Sequence, residues 1–325
     1  MGTRDVARRM LGAALLAAAM CALAQPAYPP RPVRLMVGFP PGGGTDIIAR
    51  LIAPGLSEFF QQQFIVDNRP GAAGSIAAEV AAGSPRDGCT LLLVSAAFAS
   101  NVSLYARTGY DPMRDFAPIT RIASIHNVFV VHPSTPAGSM KELVALAKAR
   151  PAELVFGSAG NGSVSHLAVE LLKSMAGGLN VLHVPYRGMA PAVIDLVGGE
   201  VHALVATLPV SVPHIRSGRL RALAVAGLKR AGPLPEIPTV EQAGFPGYEA
   251  AAWSAVLAPA GTSYDIVTRL NLAIVKVSQA REVRDRLAML GADLIGDTPD
   301  QFTAYLRAEI AKWAKVVKET GAKMD

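Results

Sequence analysis

Val33-Arg34-Leu35-Met36-Val37-Gly38-Phe39-Pro40-Pro41-Gly42-Gly43-Gly44-Thr45-Asp46 is the stretch that decides the fold. Residues 33–39 form a short apolar run of strand length, and residues 40–44 read as a tight loop. Thr45 and Asp46 stand where a helix begins, and Ile47, Ile48, Leu51, Ile52, Leu56 and Phe59 follow at helical spacing. Pro54 is expected to kink or interrupt that helix. Residues 64–66 then read as a second strand, Asn68-Arg69-Pro70-Gly71 as a turn, 75–82 as a helix and 90–94 as a third strand.

The same order returns further along. A strand at 154–156 leads into Gly157-Ser158-Ala159-Gly160-Asn161-Gly162, and a helix opens at Ser163 with Leu167, Ala168, Leu171 and Leu172 on one face. A strand at 181–184, the turn Pro185-Tyr186-Arg187-Gly188, a helix at 192–197 and a strand at 201–206 complete the second unit. Strands alternating with helices predict an α/β fold with parallel sheets covered by helices, and two such units predict two doubly wound lobes. The apolar runs 128–131 and 220–225 are placed to cross from lobe to lobe. The expected division is residues 25–125 with 228–325 for the first lobe and 126–227 for the second. Ser139 with Glu142, and Thr298 with Gln301, read as capping boxes, the latter opening a final helix that packs Phe302, Tyr305, Leu306, Ile310, Trp313 and Val317 on one side.

At 325 residues, 51% apolar and 17% charged, the chain can bury a core in each of two lobes and cannot be disordered. Arg4, Arg8 and Arg9 precede an apolar run from 10 to 23, and Ala22-Leu23-Ala24 supplies the small residues of a signal-peptidase site. Residues 1–24 therefore read as a signal peptide cleaved before Gln25, which predicts export to the periplasm. Losing Arg4, Arg8, Arg9 and Asp5 lowers the formal charge from +6 to +4. The remaining basic residues are scattered, which argues against nucleic acid as a partner. Without Cys21, Cys89 is the only cysteine, so neither an internal disulfide nor a cysteine metal cluster is possible.

In a doubly wound sheet ligands sit beyond the carboxyl ends of the strands, where loops lead into helix N-termini. Both glycine-rich loops hold that position. A helix start offers free amides and about half a positive charge, so two of them facing one cleft would grip a carboxylate without Lys or Arg. Nucleotide chemistry is a poor fit: Gly44-Thr45-Asp46 lacks the lysine of a P-loop, and Gly-x-Gly-x-x-Gly does not occur here. There is no Gly-x-Ser-x-Gly elbow and no His-x-x-x-His pair, so no metal or cofactor is expected. His166, in the first turn after Ser163, is placed either to line the cleft or to hydrogen-bond its own loop. The rival reading is an exported α/β enzyme acting on a carboxylate, with His166 as base and Asp46 as its partner.

Seven segments in order resemble the Bug-type receptors of tripartite tricarboxylate transporters, across essentially the whole chain after residue 24. They are Phe39 through Asp46, Asp67-Asn68-Arg69-Pro70-Gly71, Tyr110-Asp111-Pro112 with Asp115-Phe116, Gly157 through Leu167, Val184-Pro185-Tyr186-Arg187-Gly188, Leu220 through Val225, and Ala258-Pro259-Ala260-Gly261-Thr262. The resemblance implies a type II periplasmic binding protein with two crossover strands. Such a receptor closes on a small organic acid and delivers it to permease subunits or a sensor domain, acts as a monomer, and performs no catalysis. By matching position, the first-lobe contacts would come from Phe39, Gly42, Gly43, Thr45 and Asp46. Those of the second would come from Ser158, Gly160, Gly162, Ser163 and His166. Ser95, Ala96 and Thr207, at the ends of the third strands, complete the set. Arg187, in the turn after the second-unit strand, is placed either to meet a second carboxylate or to face solvent. The chain departs from the family at Cys89, where Tyr is usual, and at Asn101-Val102, where Asn-Pro is usual.

Overall fold

A computed structural model describes residues 28–323; the expected signal peptide and cleavage before Gln25 lie outside the described residues. Short apolar runs become strands because both of their faces can be covered. β1 (Val33–Val37), α1 (Gly44–Phe60), β2 (Phe64–Asn68), a 3₁₀ turn (Ala72–Gly74), α2 (Ser75–Ala82) and β3 (Thr90–Ser95) form the first unit. Its three strands pair in parallel, β1 in the middle. After α3 (Ala97–Leu104) come β4 (Phe116–Ile125), β5 (Asn127–Val131) and α4 (Met140–Ala149). The second unit repeats the first: β6 (Val155–Ser158), α5 (Val164–Met175), β7 (Leu182–Pro185), α6 (Met189–Gly198) and β8 (Ala203–Thr207), with β6 parallel to both β7 and β8. The chain ends with α7 (Leu208–Arg216), β9 (Arg221–Val225), β10 (Ala252–Pro259), α8 (Tyr264–Ser278), α9 (Arg281–Met289), β11 (Ala292–Leu294) and α10 (Pro299–Thr320).

Two mixed sheets result, ordered β11-β4-β10-β3-β1-β2 and β7-β6-β8-β5-β9. This is the two-lobed α/β architecture the repeat implied. The apolar runs 128–131 and 220–225 do not themselves cross between lobes, contrary to expectation: both belong to the second sheet, where β5 pairs antiparallel with β8 on one side and with the edge strand β9 on the other. The outward crossing is the junction of β4 and β5 at His126. Residues 228–250, assigned to the first lobe from sequence, pack on the second sheet: Ala231 and Leu234 are buried with Val128, Leu204 and Val225. The amide of Val240 donates to the carbonyl of Val225 at 2.9 Å, and the Tyr248 hydroxyl donates to the carbonyl of Ala168 at 2.7 Å. The chain returns only after the Ala250 amide reaches the Ala226 carbonyl at 2.8 Å.

Local signals and packing compete visibly in α1. The helix runs unbroken through Pro54, so the expected interruption is absent. Proline inside a helix costs about 3 kcal/mol. Ile48, Ile52, Ala53, Leu56 and Phe60 are all buried on the sheet side, and each large apolar side chain so buried contributes roughly 1.5–3 kcal/mol, which outweighs that cost. The Thr298–Gln301 capping box is complete. The one at Ser139 is half formed: its hydroxyl accepts from the Glu142 amide, while the Glu142 carboxylate takes the amide of Gly138 instead. α10 packs against α3, β4 and α5, and so touches elements of both lobes.

Candidate carboxylate-binding site

The first loop is shaped by a buried aspartate. Asp46, 2% exposed, accepts from the Gly42 amide at 2.8 Å and Arg50 Nε at 3.0 Å through Oδ2, and from Asn68 Nδ2 at 2.8 Å through Oδ1. Asn68 also donates to the Phe39 carbonyl at 3.0 Å. Burial by itself would raise the Asp46 pKa, but the hydrogen bonds from Arg50, Gly42 and Asn68, with the Arg50 charge, hold it below the ordinary carboxylate value. Gly42, at φ +83°, makes the turn that only glycine adopts freely. Gly43 caps α1 with no side-chain acceptor, its amide reaching the Pro40 carbonyl at 3.3 Å. Inside the helix the first amide with a partner is Ile47, on Gly43 O at 2.9 Å. The amides of Gly44, Thr45 and Asp46 therefore remain open as donors. Beside them lies Thr45, a residue 8% exposed. Phe39 and Ser95 line one recess together with Gly74 and Tyr110. Gly38 and Gly74 touch backbone to backbone there, since a Cβ on Gly38 would lie 2.5 Å from Gly74 Cα. Ala96 is buried and its carbonyl opens α3.

The second loop is held from within in the same manner. Ser158, fully buried at the end of β6, accepts from the Gly160 amide at 3.1 Å and lies 2.7 Å from His183 Nε2. Ser163 caps α5: its hydroxyl donates to Gly160 O at 2.6 Å and accepts from the His166 amide at 3.3 Å. Gly162, at φ +71°, donates its amide to His166 Nδ1 at 3.1 Å. That contact makes Nδ1 an acceptor and puts the ring proton on Nε2, 3.7 Å from buried Glu170. His166 stacks on His183 with ring centres 4.1 Å apart. Burial lowers the His166 pKa, against the opposing pull of Glu170, and burial together with His166 brings His183 down to about 4. Both rings are neutral at pH 7. The open amides here are those of Asn161, Val164 and Ser165, because Ala159, Gly160, Gly162 and Ser163 spend theirs inside the loop.

Strand register brings the two ends toward one place. Ser95 pairs with Ser254, Ser254 with Ala123, and Asn127 with Thr207. Ala123 and Asn127 are four residues apart on the same crossing segment, about 13 Å of extended chain. The carboxyl ends of β3 and β8 thus arrive at the same junction from opposite sheets.

Four residues that shape the site were not among the contacts expected from sequence. Asn68 ties Asp46 to Phe39; Asn101, 1% exposed, donates to Ala73 O and Ser75 Oγ, both at 3.1 Å. Ser165 accepts from the Ala159 amide, and Tyr186 docks its turn on the second loop through its amide to Ser158 O at 3.0 Å. The same turn carries Arg187, exposed at the loop's edge. The enzyme reading has little left to use: Asp46 is committed to three donors, and His166 to Gly162 and Glu170. Among the described residues no group of His, Cys, Asp and Glu could hold a metal ion, and no helix is long and apolar enough to cross a membrane.

Residues 48–322 match the family described as the tripartite tricarboxylate transporter family receptor. The chain belongs to that family. The receptor is 40% identical to protein BugT of Bordetella pertussis over 299 residues, 91% of each chain. Among solved structures it is similar to R. palustris Rpa4515 with adipate (41% identity, TM-score 0.76, covering 91% of this chain and 100% of that one). It is also similar to MatC from Rhodopseudomonas palustris with bound malate (30% identity, TM-score 0.73, covering 89% and 100%).

Proposed function

We propose that this receptor is exported to the periplasm, binds a small organic carboxylate between its lobes, and hands it unchanged, as a monomer, to permease subunits or a sensor domain. The observation that carries the reading is the pair of helix starts with open amides, Gly44 to Asp46 and Val164 to Ser165, which follow β1 and β6, the strands lying directly beside β3 and β8 whose carboxyl ends reach the crossing. A carboxylate there gains two sets of oriented donors and two helix dipoles, with no buried countercharge to desolvate. Adipate and malate, found in the structures of relatives, make linear dicarboxylates the first class to test. Phe39, Thr45, Ser95 and Thr207 would shape the cavity, while Asp46, His166, Ser158 and the loop glycines would hold the amides in position. The lobes would then be residues 25–125 with about 251–325, and 126–250, rotating about the crossings at 126 and 250.

The test is thermal unfolding with a dicarboxylate panel. A ligand at 100 times its Kd adds about 2.7 kcal/mol and a clear rise in Tm. A panel of carboxylates that leaves Tm unchanged refutes the ligand class, and conversion of any panel member during long incubation refutes the receptor role.

A further inference from the structure

At the opposite end of both sheets from β2 and β7, a cavity of about 480 Å³ lies behind the crossing, a volume typical of small-molecule sites. Its walls come from both sheets' surroundings: β4, β11 and α9 on one side, residues 227–229 and 249 on the other, with His126 of the crossing between them. Leu228, Leu287, Ala288 and Ile295 supply apolar surface, and Leu228 is 60% exposed.

The charges on the wall are unequally committed. Asp293 faces His126 Nε2 at 2.8 Å, Glu249 accepts from the Tyr305 hydroxyl at 3.3 Å, and Asp285 lies 3.7 Å from Arg281. Arg121 is paired with Asp297 at 2.5 Å. Lys229 and Arg284, one from each side, have no carboxylate partner among the described residues. His126, 6% exposed, keeps its Nδ1 buried against Gly227 with no hydrogen-bond partner among the described residues. Two unpaired cations facing an apolar wall fit a molecule with one anionic end and a hydrocarbon body.

We infer that this hinge-side cavity is a second binding site, for a medium-chain alkyl carboxylate held between Lys229 and Arg284 with its chain against Leu228, Leu287 and Ile295. Because its walls belong to elements on both sides of the crossing, an occupant there contacts both lobes, and its affinity is coupled to their relative position.

Isothermal titration with sodium octanoate tests this on the purified protein. The expected result is saturable binding to the wild type and to Gly44→Val, a variant of the first loop. Arg284→Glu and Lys229→Glu should each weaken it at least tenfold while keeping the wild-type circular dichroism spectrum. Should a charge reversal unfold the chain, Arg284→Gln and Lys229→Gln replace it. Octylamine, with the same chain and opposite charge, should not bind. No saturable octanoate binding, equal affinity in the cation variants, or displacement of octanoate by adipate with loss in Gly44→Val would overturn the site. Failure of the cleft reading shows separately, as no response to any dicarboxylate.

Discussion

Asp46→Asn separates a residue that shapes the loop from one that merely lines it. The wild-type carboxylate offers two acceptor oxygens to three donors: Gly42 N and Arg50 Nε on Oδ2, Asn68 Nδ2 on Oδ1. Asn68 cannot turn its amide over to adapt, because its own Oδ1 accepts from Arg50 Nη2 at 3.0 Å and its Nδ2 also serves the Phe39 carbonyl. An asparagine at 46 has a single acceptor oxygen, so in either orientation at least one donor faces an NH₂ group. A hydrogen bond to a charged group is worth about 1.5–3 kcal/mol, and a buried donor left without a partner costs about 1–3. The net loss should be about 2–4 kcal/mol, read by urea unfolding at pH 7. The Asp46 pKa is depressed in the folded state, so its contribution is present above the unfolded value of 3.8 and disappears as pH falls below it. The gap between wild type and variant should therefore narrow at acid pH. Carboxylate affinity should drop with stability, since Gly42 is released. A stability change under about 0.5 kcal/mol at pH 7 would refute the account of this loop.

Three further outcomes are expected. Gly44→Val should abolish carboxylate binding with little change in urea midpoint, because a Cβ there meets no atom within 4 Å and only the approach to the open amides is blocked; retained affinity argues against this loop as the grip. His166 and His183 both have lowered pKa values, so the folded state binds fewer protons than the unfolded one: stability should be full above about pH 6.5 and decline toward pH 4, as followed by Tm across that range, with His166→Asn flattening the profile. Glu309, 3% exposed, accepts from Trp253 Nε1 and Trp313 Nε1, both at 3.1 Å, and pairs with Lys312. Glu309→Ala should cost about 3–5 kcal/mol in urea unfolding, whereas Arg281→Ala, at an exposed pair, should cost under about 1.

What could be read before folding was whatever repeats or punctuates locally. Glycine-rich loops between a strand and a helical run mark both βαβ units, and Ser163 and Thr298 mark helix starts correctly. β4 escaped notice because Pro118, Arg121 and Ser124 break its apolar run, and two bulges against β10 blur any alternation. α9 buries only Val283 and Leu287 and otherwise reads as a charged surface. The placement of 228–250 depends on which sheet buries Ala231 and Leu234, a long-range fact with no local trace. In the site, residue types predicted where donors would gather, but which amides stay free depends on side-chain direction. Gly42, Gly160 and Gly162 look like donors in sequence, and Asp46, Ser158 and His166 take all three internally.

The docking of residues 228–250 on the second sheet also determines what an optical reporter would see. Fluorophores at exposed Gly247 and at the exposed Leu272 of α8 are only 25 positions apart in the chain, yet they ride on different sheets. Energy transfer between them would follow domain rotation, whereas a dye pair at Gly247 and Arg219 would travel together and report nothing. For anyone converting this molecule into a metabolite sensor, attachment points should follow packing, not order along the polypeptide.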